Sequence, residues 1–332
     1  MRTINYAQAI REAHCQLMET DPRVFVIGQG LWSPWYAGTS LLDLEKTFGK
    51  HRVLDTPVSE NAVTGAAVGA ALSGMRPIVF HPRMDFMLLA VDPIVNQAAN
   101  WSYMFSGKIG APIVIRSVIN RGGEQGAQHS QATHAMFMHV PGLKVVMPST
   151  PTDAKGLLIS AVHDGNPVLY VDDRWLYDEV GEVPEGMYGT PIGKAVLRKK
   201  GSALTIVAIS FMAREATRAA EALAQEQVYA DVIDLRSLKP WDKEMVLESV
   251  RRTGRLVIAD SGWHTCGAAA EIAATAATEA FYFLKAPIQR VTLPDSPAPT
   301  SAAEEMTFFR NWRHIVEAAQ LTLKGEKCSN AL

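Results

Sequence analysis

One carboxylate stands out for the company it keeps. In "DTPVSENAVTGAAVGAALSGMRPIVF", residues 55–80, Glu60 heads a run made almost entirely of Ala, Gly, Val and Ser. A carboxylate is costly to take out of water, so its place against so small and apolar a segment asks for a partner. Two readings stand side by side. A Glu in the first turn of a helix is favoured by the positive end of the dipole; a Glu beside a ligand can share a proton with it. The segment follows the strand-like "RVLDTPV", and open parallel sheets take ligands at the carboxyl ends of their strands. His129 lies in "NRGGEQGAQHSQATH", a long Gly/Gln-rich loop after the apolar "APIVIRSV". Such a loop can wall an active site, though taken alone its histidine reads first as a surface residue. His134 and His139 follow at five-residue intervals, off any single helical face, which argues against a metal cluster. "HDGN", residues 163–166, closes a helical pattern ahead of a strand. Gly165 in a left-handed cap is the plain reading, and carbonyls at that turn could also hold a monovalent cation. No GxGxxG or GxxxxGK[ST] run is present, so nothing here cradles a nucleotide phosphate by itself.

The elements that must position these residues are legible from periodicity. "VFVIG", "RPIVF", "APIVIR", "LKVVMP" and "PVLYVD" read as buried strands, with helical patterns near 5–19, 60–74, 88–104 and 151–164 between them. Continuous apolar strands alternating with helices imply a parallel sheet covered on both faces. After a stretch rich in Gly, Pro and charge the pattern resumes with "ALTIVAIS", "YADVIDL", "GRLVIAD" and "PIQRVTL". Their helices fall near 212–226, 242–253, 267–283 and 308–323. The fold class is α/β, two domains in tandem. The expected division is 1–180, a linker over 181–202, a second domain over 203–325 and a tail over 326–332. Ser149 or Thr150 begins the helix after "MPSTPTD", and Asp55 or Ser59 is the expected N-cap of the Ala/Gly helix. So much glycine weakens an isolated helix by about 1 kcal/mol per residue relative to Ala. It suits a helix that another backbone must approach closely, as at a subunit contact, and plain core packing is the alternative.

The 332 residues are 48% hydrophobic and 20% charged, with a net charge of −2, which gives no electrostatic case for nucleic acid or an anionic membrane. No apolar run reaches the ~18 residues that a membrane span needs. The first residues, "MRTINYAQAIREAH", read as an amphipathic helix without a signal or transit pattern. Three cysteines, Cys15, Cys266 and Cys328, are odd in number and far apart, so neither a disulfide framework nor a zinc site is expected. A reducing, cytoplasmic setting is the expectation.

With these stretches in hand, the chain resembles the β-subunits of thiamine-diphosphate-dependent 2-oxo acid dehydrogenases, of pyruvate or acetoin type, within the wider transketolase-like group. The resemblance runs nearly the whole length and rests on "DTPVSENAVTGAAVGAALSGMRPIV", "AQHSQ", "HVPGLKVVMPSTPTDAKGLL", "PIGKA", "DVIDLRSLKPWD" and "TGRLVIADSGW". It implies a pyrimidine-binding parallel-sheet domain followed by a transketolase C-terminal-type domain. It also implies that Glu60 hydrogen-bonds the aminopyrimidine ring and favours the tautomer that activates the cofactor. By the same resemblance Phe86 packs on that ring, and His129 serves proton transfer as an acyl group passes to a lipoyl group. Ile113, Ala161, Asp164 and Asn166 fall where related subunits hold a potassium ion, mainly by backbone carbonyls.

The family's diphosphate signature, GDG followed downstream by NN, is missing from this chain. The resemblance therefore implies a half-enzyme. A separate α-subunit would bind Mg2+ and the diphosphate in an α2β2 heterotetramer, and a lipoyl-bearing acyltransferase would receive the product of a small 2-oxo acid. Pro82 and Leu89 stand where relatives often have Met and Gln, and Gln29 where many have an acid thought to couple two active sites; Asp92, on the same path, is retained. His81, Arg83 and Asp85 add polarity beside the cofactor position, which fits either a substrate other than pyruvate or a loop that is merely repacked. Two rival readings are the C-terminal half of a split transketolase or carboligase, and a non-catalytic assembly or regulatory paralogue. "QHSQ" argues against the first, and intact Glu60, Phe86 and His129 against the second.

Overall fold

The computed structural model describes residues 1–325; the tail expected at 326–332, with Cys328, lies outside the described residues. The strands are β1 (Arg2–Asn5), β2 (Val24–Gly28), β3 (Val53–Asp55), β4 (Arg76–His81), β5 (Val114–Ile119), β6 (Lys144–Val146), β7 (Val168–Asp173), β8 (Val180–Val183), β9 (Val196–Lys199), β10 (Leu204–Ala208), β11 (Ala230–Asp234), β12 (Ser237–Lys239), β13 (Leu256–Trp263) and β14 (Gln289–Leu293). The chain divides into two compact units. One holds Met1–Asn120 and Met136–Ile192; the other holds Arg121–Ala135 and the chain from Gly193 onward.

In the first unit the strands run β6-β7-β5-β4-β2-β3, every neighbour parallel. β2, β5 and β7 are buried at every residue, as a sheet covered on both faces requires. Helix Tyr6–Thr20 opens with a capping box between Asn5 and Gln8 and buries Ile10, Ala13 and Leu17 along one stripe. Helix Pro151–His163 starts at Thr150, whose side chain accepts from the Asp153 N–H, which settles the choice between Ser149 and Thr150. Two charges penetrate the sheet as a pair: Arg116 of β5 donates to Asp172 of β7 at 2.8 Å, both fully buried.

Three expectations are corrected by the chain's geometry. The helix expected over 88–104 is broken into Leu88–Ala90, a wide π-turn Pro93–Ala98 and Ala99–Met104. Pro93 has no N–H to give to the preceding turn, so a regular ladder cannot run through it. The stretch 181–202 is not bare connection: β8 pairs antiparallel with β1, and β9 joins the second sheet, with the compact units meeting in sequence at Ile192 and Gly193. The last helical pattern is two helices, Ala302–Phe308 and Trp312–Lys324, because Asn311 caps the second afresh. In the second unit the order is β14-β13-β10-β11-β9, parallel except for β9. Its helix Phe211–Gln225 buries Met212, Ala216, Ala219 and Leu223, spaced three to four apart.

Candidate active site

Glu60 is the first residue of helix Glu60–Leu72 and only 9% exposed. Ser59 stands at the N-cap without a side-chain bond, so the helix dipole and the carboxylate face each other directly. Asp55 does not cap this helix. Its carboxylate accepts from the N–H groups of Gly30 (2.7 Å) and Leu31 (3.2 Å), holding the loop that follows β2. That loop and the helix start are two walls of a cleft. Gly28 and Gln29 come from the end of β2, Thr56, Pro57 and Ser59 from the loop after β3, Glu60 and Val63 from the helix, and Phe80, His81 and Pro82 from the end of β4. Its empty volume is about 220 Å³. β2 and β4 can close on it only because residue 28 is glycine: a Cβ there would sit 2.3 Å from the Phe80 carbonyl oxygen.

Among the described residues, Glu60 makes no hydrogen bond and no ion pair. A nearly buried carboxylate at the carboxyl edge of a parallel sheet, with no internal partner, is built to meet a donor from outside the chain. Beside it His81 is buried, its Nε2 3.1 Å from Thr64 Oγ1, and burial pushes its pKa down to about 4. His81 is therefore a neutral group at pH 7 and places no charge against Glu60. Phe86 stands on helix Met84–Met87, directly beyond the β4 end of the cleft, and is 38% exposed. Gln29 lines the cleft, whereas Asp92 is exposed and receives a hydrogen bond from Asn96 at 2.7 Å.

His129 belongs to the second unit. It is partly buried in the loop Arg121–Ala135, its N–H donating to the Gly126 carbonyl at 3.3 Å. The same loop carries a residue that the spacing argument had set aside. His134 is fully buried and donates from Nε2 to Asp260 Oδ1 at 2.9 Å, and Asp260 also accepts from the Gly262 N–H. Burial pushes the Asp260 carboxyl up, but His134 and the N–H groups of Gly262 and Ala269 outweigh it and hold the pKa below the usual range. Asp260 sits near the carboxyl end of β13, the place where the strand-end rule could have flagged it. His139 is exposed, so the three histidines occupy three different environments. Among the described residues no three His, Cys, Asp or Glu side chains gather as a metal site.

The four residues of the expected potassium site lie close together. The Val168 N–H donates to the Ile113 carbonyl, the Asp164 N–H to the Ala161 carbonyl, and the Asn166 N–H to Asp164 Oδ1. Gly165 is not left-handed; Asp164 ends the helix in an extended conformation and its carboxylate turns the chain. Lys144 pairs with that carboxylate, so any cation here relies on main-chain carbonyls.

Comparison with known families gives the site its context. Residues 2–178 match the transketolase pyrimidine binding domain, and residues 193–315 match the transketolase C-terminal domain. The acetoin:2,6-dichlorophenolindophenol oxidoreductase subunit beta of Cupriavidus necator is 43% identical over 98% of this chain and 99% of its own. The chain belongs to the family of pyruvate and acetoin dehydrogenase β-subunits. Another member, the pyruvate dehydrogenase E1 component subunit beta of Rickettsia felis, is 39% identical over 96% of this chain and 97% of its own. The fold is shared with a split-gene transketolase solved as an inactive beta4 tetramer, with a TM-score of 0.81 at 22% identity, covering 98% of this chain and 100% of that one. The family's two tandem α/β domains are those seen here. Among the described residues, no helix is long and apolar enough to cross a membrane.

Proposed function

We propose that this chain supplies the aminopyrimidine side of a thiamine diphosphate site in a 2-oxo acid or acetoin dehydrogenase, acting with an α-subunit that holds Mg2+ and the diphosphate. The observation that carries this reading is the Glu60 carboxylate, without a partner among the described residues, opening on a cleft at the sheet's carboxyl edge. When bound, thiamine diphosphate supplies the electron sink for cleavage beside a carbonyl. Glu60 would hold a proton at the ring nitrogen facing it, and Phe86 would pack against the ring. As the first residue of its helix, Glu60 would be held at the cleft wall by a rigid element. His129, from the second unit's loop, would move a proton as the acyl group passes to a lipoyl-bearing acyltransferase. Backbone carbonyls of Ile113, Ala161, Asp164 and Asn166 would hold potassium as a structural cation.

Two variants in the reconstituted α/β complex test the assigned roles. Glu60→Gln keeps the shape but cannot share the proton, and turnover should fall at least about 100-fold; unchanged turnover sinks the role. His129→Ala should lose transfer to lipoamide far more than it loses turnover with dichlorophenolindophenol as electron acceptor. Equal loss in both assays removes its acyl-transfer role. Lipoamide-dependent turnover also separates this reading from ketol transfer to a sugar phosphate.

A further inference from the structure

Arg83 is a partly buried guanidinium for which, among the described residues, the fold supplies no hydrogen bond or ion pair. It directly follows Pro82 on the cleft wall and stands at the start of helix Met84–Met87. Arg174, just past the end of β7, is close enough for its like charge to weigh on Arg83, and it is held in place by donating from Nη1 to the Tyr36 carbonyl at 3.0 Å. Tyr36 closes the group. Its ring packs on Gly30, where a Cβ would meet the ring at 2.5 Å, and Gly30 follows Gln29 on the opposite wall. Two cations thus converge beyond the carboxyl ends of β2, β4 and β7, where open parallel sheets take their ligands.

Two acids stand nearby. Asp173 accepts from the Trp175 N–H at 3.0 Å, and buried Asp85 lies on the helix that Arg83 begins. Burial first, and Arg174 second, hold Arg83 below the ordinary arginine range against the weaker opposing pulls of Asp85 and Tyr36. A guanidinium drawn out of water beside a like charge is unfavourable unless an anion meets it. Arginine's planar fork suits a carboxylate or phosphate for that purpose.

We propose that Arg83 and Arg174 form an anion site for an oxyanion at the far end of the substrate's side chain, an inference that rests on reading the Glu60 cleft as the pyrimidine half of the active site. The group bound is not the carboxylate lost as CO2. That charge disappears during decarboxylation, so a guanidinium upon it would stabilise the substrate more than the transition state. A spectator oxyanion keeps its charge throughout, and holding it lowers KM. The substrate class is therefore a 2-oxo acid, or an acyloin, carrying a second acidic group. This departs from pyruvate and acetoin, which the relatives' names print and whose side chains are methyl groups.

The test uses the reconstituted α/β complex with dichlorophenolindophenol. It compares kcat/KM for pyruvate, for 2-oxoglutarate, and for 2-oxo-4-phosphonobutanoate, the last separating phosphate-type from carboxylate recognition. Wild-type enzyme should prefer one of the two acidic substrates. Arg83→Ala should lower the acidic-to-pyruvate ratio by about 10- to 100-fold, mostly through KM, as expected for a lost charge-assisted hydrogen bond. Arg83→Lys should recover part of it. Calorimetric titration with glutarate reads the site without turnover and should weaken by the same factor in Arg83→Ala. A wild-type preference for pyruvate, or an unchanged ratio in Arg83→Ala, overturns the proposal. Weakened α-subunit association in that variant with the ratio unchanged would assign Arg83 to the subunit contact instead. Glutarate binding that depends on Arg83, with no turnover of any substrate, would uphold the anion site and sink the proposed function.

Discussion

At the scale of single residues, the site is built by withholding partners from some groups and supplying them to others. Glu60 keeps its carboxylate uncommitted, whereas His81, in the same cleft, is committed as a neutral hydrogen-bonding group by burial and Thr64. That commitment has a pH signature. The unfolded chain takes up a proton on this histidine below about pH 6.5, while the folded chain refuses it until about pH 4. His81 therefore costs nothing above pH 6.5 and destabilises progressively as the pH falls towards 4, by about 2 kcal/mol at pH 5. His81→Phe should shrink the stability difference between pH 7 and pH 5 by about that amount in chemical denaturation. An unchanged difference would mean that the histidine is protonated or solvated in the fold. His14, pushed down to about 3 by burial and then by Arg116, contributes in the same direction and stays in both proteins. The position of Glu60 was legible because a carboxylate at a strand–helix junction is rare in so apolar a run. Its lack of a partner was not legible, since that depends on what the ends of β2 and β4 bring near it. The His134–Asp260 pair was hidden for the same reason: 126 residues separate the partners, and spacing carries no information about them.

At the scale of elements, helix Glu60–Leu72 has one face in the core and another without cover in this chain. Thr64, Ala67, Val68 and Ala71 are buried, while Ala62, Gly65, Ala66 and Gly69 are exposed. A Cβ added at Gly65 or Gly69 would meet nothing within 4 Å. Core packing within this chain therefore does not require these glycines, which favours the subunit-contact reading of the small-residue run. Two substitutions separate the intrinsic cost from the contact. Gly69→Ala should stabilise the isolated chain by up to about 1 kcal/mol through helix propensity alone. Gly69→Leu fits the isolated chain as well, but should weaken assembly with the α-subunit, read by sedimentation of the mixture. Assembly of Gly69→Leu indistinguishable from wild type would return these glycines to chance. Regular elements were legible wherever the period was unbroken, as in β2, β5 and β10. β8 and β9 escaped notice because they are four-residue strands with mostly exposed or half-exposed side chains in a stretch read as a linker. The π-turn at Pro93 escaped because an apolar period continues through it and only the missing N–H betrays the break.

At the scale of the whole molecule, the chain has the two-domain framework of its family, and on the function proposed above it carries half of a site. The Glu60 cleft is lined by Gly, Gln, Thr, Pro, Ser, Glu, Val, Phe and a neutral His, with no Lys or Arg among its lining residues to meet a diphosphate. The sequence agrees, having no GDG and no downstream NN to bring a metal to phosphate oxygens. Its relatives carry the same division in their names, each being called a beta subunit. A site divided in this way has a thermodynamic consequence. Cofactor bound across two chains stabilises the assembled form over the separated one, so α-subunit and thiamine diphosphate should each raise the other's affinity by the same factor. Co-expression with a candidate α-subunit, followed by sedimentation with and without thiamine diphosphate and Mg2+, measures that factor directly. Tighter assembly with cofactor present, and turnover of 2-oxo acids only when both chains are mixed, is the expected outcome. Removing Mg2+ with a chelator should loosen the complex without unfolding this chain, because the metal's ligands would lie on the partner. Tight cofactor binding and full turnover by this chain alone would show that the diphosphate is held by residues other than the family signature, and that the cleft at Glu60 is a whole site.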